Sequence, residues 1–186
     1  MKVALSFLTG ILILLFISCR EQPDSLDEIK SFHPDDKYFK SAMVSLHFII
    51  ETSSIERVDS VFNEMINQFD LPVDARSAKD GTYMGESPYD AFDYKHIVEL
   101  EIKDEKIVSL DYNEIHKSGI GKEEDESYCE EMSVTGTSPD IAYPIMEAEM
   151  LEKQNMMKVD AVSGASYSLY RFRFAITVAL MKTQVK

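Results

Sequence analysis

The run His96-Ile97-Val98-Glu99-Leu100-Glu101-Ile102 alternates apolar with polar or charged residues. Side chains in a strand point to opposite faces in turn, so this pattern describes a strand with one face buried and one in water. Lys103-Asp104-Glu105-Lys106 follows as a tight turn, with Asp104-Glu105 standing where Asp-Gly would be favoured. Ile107 through Ile115 reads as the returning strand, with Ile107, Ser109 and Asp111 on one face and Val108, Leu110 and Tyr112 on the other. Just upstream, Asp80 to Glu86 is a short extended segment that contains Gly81 and Gly85. The centre of the chain is therefore a small antiparallel sheet.

Helical patterns lie on both sides of it. Ile55, Val58, Val61, Phe62, Met65, Ile66 and Phe69 form an apolar stripe that Pro72 stops. Residues 38–50 fit a helix through Phe39, Ala42, Met43, Leu46, Ile49 and Ile50, and fit a strand through Ala42, Val44, Leu46, Phe48 and Ile50. Residues 38–78 thus read as a helical hairpin, or a strand then a helix, preceding the sheet. Downstream, a helical piece is expected near Glu124–Met132. A second helix opens at Pro139 or Asp140 and runs to about Gln154, carrying Ile141, Ile145, Met146 and Met150. A final helix spans Tyr167 to Lys182, with Leu169, Phe172, Ile176, Ala179 and Leu180 on one side. The fold class is α+β, a small antiparallel sheet with packed helices.

The 186 residues are 45% hydrophobic, enough for a core, and carry a net charge of −14. Such an acidic surface argues against nucleic acid as a partner. At the start, Lys2 precedes the apolar run Val3 to Ile17, the layout of a secretory signal and short for a membrane span. Phe16-Ile17-Ser18-Cys19 resembles a bacterial lipobox, in which the Cys thiol is lipidated and becomes the new N-terminus. The expected organisation is a lipoprotein signal peptide over 1–18, a polar tether over 19–37, the extension over 38–78 and the main domain over 79–186. The alternative is an uncleaved N-terminal helix with a buried Cys19. If Cys19 is acylated, Cys129 has no intramolecular partner.

The residues that carry chemistry are Val159-Asp160-Ala161-Val162-Ser163-Gly164-Ala165-Ser166-Tyr167-Ser168. An extended run enters a turn of small residues, and the turn enters a helix. Ser166 falls at the helix start, where amide groups lack partners and a phosphate gains hydrogen bonds and the helix dipole. Arg171 and Arg173, one to two turns on, are unexpected near a helix start unless an anion compensates them. Read by itself, Ser163–Ser166 is also an ordinary N-cap and turn.

The wider stretch resembles the flavinylation motif of the FMN-binding domain family: Asp, two residues, Ser or Thr, Gly, Ala, then Ser or Thr. Here these are Asp160, Ser163, Gly164, Ala165 and Ser166. Asp80-Gly81-Thr82-Tyr83, Gly85 and Lys106-Ile107-Val108 resemble the opening of the same domain, so the likeness covers about residues 79–182. The resemblance implies a flavin-holding cleft in which FMN, transferred from FAD by a flavin transferase, is esterified through its phosphate to Ser166. It also implies an extracytoplasmic electron carrier on the cell membrane, periplasmic or cell-surface, that exchanges electrons with a membrane redox complex or another electron-transfer protein. Tyr83 is a candidate to stack on the flavin ring. The alternative is a non-covalent FMN-binding protein, or a flavin-free surface or adhesive lipoprotein.

Other constellations are sparse. His33, His47, His96 and His116 show no pair at metal-ligand spacing, so no metal site is expected. Glu123, Glu124, Asp125, Glu126, Glu130 and Glu131 lack the spacing of a calcium loop. No nucleophile elbow is present, and no catalytic residue is assigned.

Overall fold

The computed structural model describes residues 37–134 and 136–184. The signal peptide, Cys19 and the tether up to residue 36 lie outside them. Two helices come first, α1 (Lys37–Thr52) and α2 (Ile55–Phe69), so the helical reading of 38–50 holds over the strand. Asp70 closes α2 in the left-handed region with φ 48°. The stripe Val58, Val61, Phe62 and Met65 is buried, as are Met43, Leu46 and Ile50 of α1.

Three strands follow, β1 (Gly81–Glu86), β2 (Tyr94–Lys103) and β3 (Lys106–His116), in the antiparallel order β1-β2-β3. The β2–β3 turn holds Asp104 at φ 51° and Glu105 at φ 58°. Two positive φ values mark the mirror-image turn whose twist matches a hairpin, here built without glycine. Along β2 the inward positions are His96, Val98, Leu100 and Ile102. On β3 the sequence phase fails at one point. A register shift opposite Glu101 and Ile102 leaves Val108 as an extra residue, because Ile102 pairs with Ile107 while Glu101 pairs with Ser109. A bulge of this kind changes which residues share a face. Ile107 therefore joins Leu110, Tyr112 and Glu114 in the interior, and Val108 is exposed.

The remaining elements are α3 (Glu126–Ser133), α4 (Pro139–Lys153) and α5 (Ser166–Thr183), with short 3-10 turns at Lys122–Glu124 and Met156–Lys158. Helix α5 packs on β1 and β2 and is covered by α1 and α2, while α4 packs along β3. Being covered from both sides, α5 buries Phe172, Phe174, Ala175, Ile176, Ala179, Leu180 and Met181, far more than the one side expected from periodicity. In α4 the buried residues are Ala142, Tyr143, Met146 and Met150, whereas Ile141 and Ile145 are exposed. Residues 38–78 and 79–184 belong to one compact unit. The described residues contain no helix long and apolar enough to cross a membrane.

Strand β1 and helix α5 meet backbone to backbone at Gly85. A Cβ placed there would stand 1.9 Å from the Ala175 carbonyl oxygen and 2.7 Å from the Ala179 nitrogen. Neither neighbour is a side chain that can swing away, so the strand and helix would have to part. Overpacking typically costs about 1–3 kcal/mol, and contact with backbone belongs at or above the top of that range. Gly85→Ala is expected to lower the melting temperature by about 10 °C or more, read by circular dichroism. An unchanged transition would show that the approach is looser than described.

Candidate functional site

The Asp160–Ser166 segment is held from both ends. On its approach, the buried Arg173 of α5 donates from Nε to the Met156 carbonyl (3.1 Å) and from Nη2 to the Val159 carbonyl (3.0 Å). Asp160 is fastened to α4: its amide donates to Glu149 Oε2 (2.7 Å), and its Oδ2 accepts from Lys153 Nζ (2.8 Å). Its carboxylate remains largely in solvent, 82% exposed. The Ala165 amide then donates to the Val162 carbonyl at 2.9 Å, with Gly164 between them at φ 85°. A positive φ at the third position of a four-residue turn is where glycine is needed.

Ser166 is the first residue of α5, and the N-cap position falls on Ala165, which has no side-chain oxygen to cap with. The reading of Ser166 as an ordinary N-cap is therefore set aside. The first intrahelical bond runs from the Leu169 amide to the Ala165 carbonyl (3.1 Å), and no side chain caps the turn that begins at Ser166. Open amides there form the kind of end at which an anion is stabilised. Beside the turn lies a pocket of about 30 Å³ lined by Tyr128, Thr137, Tyr143, Gly164, Ala165 and Ser168, among others. Thr137 Oγ1 is buried without a hydrogen-bond partner. A space of this size admits a water-sized group.

Asp160, Ser163, Gly164, Ala165 and Ser166 are thus gathered in one loop and helix start, and Tyr83 stands apart from them. Its hydroxyl donates to the Lys79 carbonyl at 3.1 Å, and it lies two residues from Gly85, which abuts Ala175 and Ala179. Ala179 is 13 residues along α5 from Ser166, about 20 Å at the helical rise.

Arg171 and Arg173 do not answer an anion at the helix start. Arg173 serves carbonyls, and Arg171 serves a buried charge network that periodicity did not reveal. Its Nε and Nη2 grip Glu51 of α1 at 2.9 and 2.5 Å, and its Nη1 reaches Glu114 of β3 at 3.4 Å. Glu114 is fully buried and also receives Lys122 Nζ at 2.5 Å and the Tyr112 hydroxyl at 3.2 Å. Lys122 Nζ lies 4.4 Å from the Tyr94 ring centroid. His96 of β2 stands between the two carboxylates, Nε2 3.3 Å from Glu51 Oε1 and Nδ1 3.8 Å from Glu114 Oε2. Next to it is His47 of α1, with ring centroids 5.5 Å apart. His96 and Glu114 occupy inward strand positions and His47 and Glu51 are one helical turn apart, but nothing local in the sequence joins the helix pair to the strand pair.

Burial opposes the charged form of Glu114, but Arg171, Lys122 and His96 outweigh it and hold its carboxyl down to about 2. Burial likewise opposes the Glu51 carboxylate, and hydrogen bonds from His96 and Arg171 bring it to about 2. The His47 imidazole is lowered, first by burial and then by His96.

No family model matches the chain. The "15 kDa lipoprotein" of Treponema pallidum (strain Nichols) is 34% identical over 101 residues, which are 52% of this chain and 70% of that protein. The chain belongs to the 15 kDa lipoprotein family. That family name points to a lipid-anchored, membrane-associated protein. Among solved structures, the crystal structure of the CPE2226 protein from Clostridium perfringens is 33% identical, with a TM-score of 0.51, over 55% of this chain and 86% of its own. A solution structure from Clostridium thermocellum is 26% identical over 57% of this chain and 93% of its own, with a TM-score of 0.40 that carries nothing on the fold.

A carboxylate depressed by folding contributes stability above its unfolded value, here 4.5, and that contribution is lost as pH falls through the folded value of about 2. The melting temperature is therefore expected to decline between about pH 4.5 and pH 2. Glu114→Gln leaves Lys122 buried without its counter-charge, so at pH 7 it should cost about 3–5 kcal/mol. Its melting curve should also depend less on pH in the acid window than that of the parent. An identical acid profile in a folded Glu114→Gln variant would remove Glu114 from the account.

Proposed function

We propose that the chain is a lipid-anchored, extracytoplasmic flavoprotein that carries FMN as a phosphoester on Ser166 and serves as an electron carrier. One observation supports this above the others. The motif Asp160-x-x-Ser163-Gly164-Ala165-Ser166 ends with its acceptor hydroxyl in the first turn of a helix that no side chain caps. The segment suits the phosphate end of FMN. Gly164 and Ala165 withhold side-chain bulk, and the helix start offers amides to the phosphate oxygens. Thr137, whose buried hydroxyl has no partner, lines the adjoining pocket. The isoalloxazine ring does not fit that pocket, because about 30 Å³ falls far short of the roughly 300–1,000 Å³ typical of an organic ligand's cleft. On this reading the ring lies over the surface beside α5, open to a redox partner.

The flavin supplies one- and two-electron chemistry, and the chain supplies attachment and position. Arg173 and Lys153 hold the loop so that the Ser166 hydroxyl is presented at the end of a rigid helix. In attachment, the Ser166 oxygen bonds to the flavin-side phosphorus of FAD, the pyrophosphate bond breaks, and AMP leaves. A flavin transferase is the maturing partner, and a membrane redox complex or another electron-transfer protein is the partner in use.

Co-expression with a flavin transferase is expected to add the mass of one FMN less one water, with fluorescence that survives denaturing electrophoresis. Ser166→Ala should abolish the label and Ser166→Thr should keep it, while Ser163→Ala and Ser168→Ala should still label. Because Ala165 rather than Ser166 occupies the N-cap, Ser166→Ala should change stability by no more than about 0.5 kcal/mol. Denaturation-resistant flavin on folded Ser166→Ala protein would refute the assignment. An unlabelled wild type beside an active transferase would leave the non-covalent or flavin-free lipoprotein. Membrane attachment is a separate claim. Cys19→Ala should yield soluble protein or an unprocessed precursor, and membrane-bound, processed Cys19→Ala protein would remove the lipid anchor.

A further inference from the structure

We propose that His47, Glu51 and His96 form a binding site for one first-row transition-metal ion of the zinc class, bridging helix α1 and strand β2. One ligand atom from each of the three lies within 4.8 Å of the other two. Tetrahedral zinc places nitrogen and oxygen ligands about 3.3 Å apart, so the three side chains need to draw together by about 1.5 Å at most. His47 and Glu51 rise from one face of α1, a turn apart, and His96 comes from the facing strand.

An unpartnered ring nitrogen beside these ligands strengthens the argument. His96 is fully buried and His47 is 6% exposed. His47 Nε2 is buried with no hydrogen-bond partner. An unsatisfied polar atom in the interior is costly, and a bound ion would relieve it. His96 already turns Nε2 to Glu51 at 3.3 Å, with Nδ1 3.8 Å from Glu114 on its other side.

The second shell is also built. Arg171 grips Glu51 through two nitrogens and orients its carboxylate, as outer partners of metal ligands commonly do. The ligand set decides which metal enters. Two imidazoles and one carboxylate suit zinc, copper and nickel, whereas hard Ca²⁺ and Mg²⁺ seek oxygen ligands. Such an ion would fasten the N-terminal helix to the sheet without drawing on the Ser166 segment.

The test uses the full chain in detergent, loaded with equimolar Zn²⁺, desalted and weighed by native mass spectrometry. One zinc per chain is expected, together with a rise in melting temperature. Co²⁺ in its place should give visible d–d absorption with no thiolate charge-transfer band, which excludes Cys129 as a ligand. His47→Ala, and His47→Gln as a shape-preserving second variant, should bind at least tenfold more weakly with the fold intact by circular dichroism. His116→Ala, which alters an imidazole outside the cluster, should bind as wild type does. Wild type that emerges from desalting without zinc, or folded His47→Ala and His47→Gln that bind as tightly as wild type, would overturn the site.

Discussion

Glu114 is a carboxylate with no access to water, and the architecture is arranged around keeping it charged. Arg171 and Lys122 reach it from two different elements, and Tyr112 donates to it from its own strand. Through Arg171 the same interaction extends to Glu51, so that β3, α5 and α1 share one ion network. Such a network adds less stability than its Coulomb energy suggests, because burying each ion is costly. Its stronger consequence is exclusion. An arrangement that removes α1 or rotates α5 leaves a buried charge unpaired.

That constraint fixes which way α5 faces, and the rest of the packing follows. With Arg171 turned toward Glu51 and Glu114, Ala175 and Ala179 come against Gly85. Phe172 meets the ring of Tyr112 edge-on, with centroids 5.2 Å apart. Arg173, two residues on, captures the carbonyls of Met156 and Val159 and so places the loop that leads to Ser166. The rigidity of the helix start is thus inherited from the core beneath it. The attachment role proposed for Ser166 would draw on this, because position is what a protein can give a flavin.

Much of the fold was legible in the alternation of β2 and the stripe of α2. A strand with one wet face and a helix with one buried face leave clear periods of 2 and 3.6 residues. The misread places are those where a neighbour intervenes. Val108 fell out of phase because a bulge adds one residue without a compositional mark. The surfeit of buried residues on α5 came from being covered on two sides, which a one-faced stripe does not describe. In the candidate site, the order Asp160 to Ser166 was local and readable. The cluster of His47, Glu51 and His96 was not, since its members are separated by the α2 helix and β1 strand.

The amino-acid order by itself determined the elements, their antiparallel hairpin, the glycine-bearing turn before Ser166 and the secretion-like start ending at Cys19. Each rests on interactions between residues a few positions apart, through backbone sterics, turn chemistry or a short hydrophobic run. Only the tertiary structure decided the fate of the charged and imidazole side chains. Arg171 pairs with residues 120 and 57 positions away in the chain. His47 and His96 meet across 49 positions of sequence. The reason is physical: the energy of a charge or an imidazole in the interior depends on what surrounds it in space, and no local pattern of residues encodes that neighbourhood.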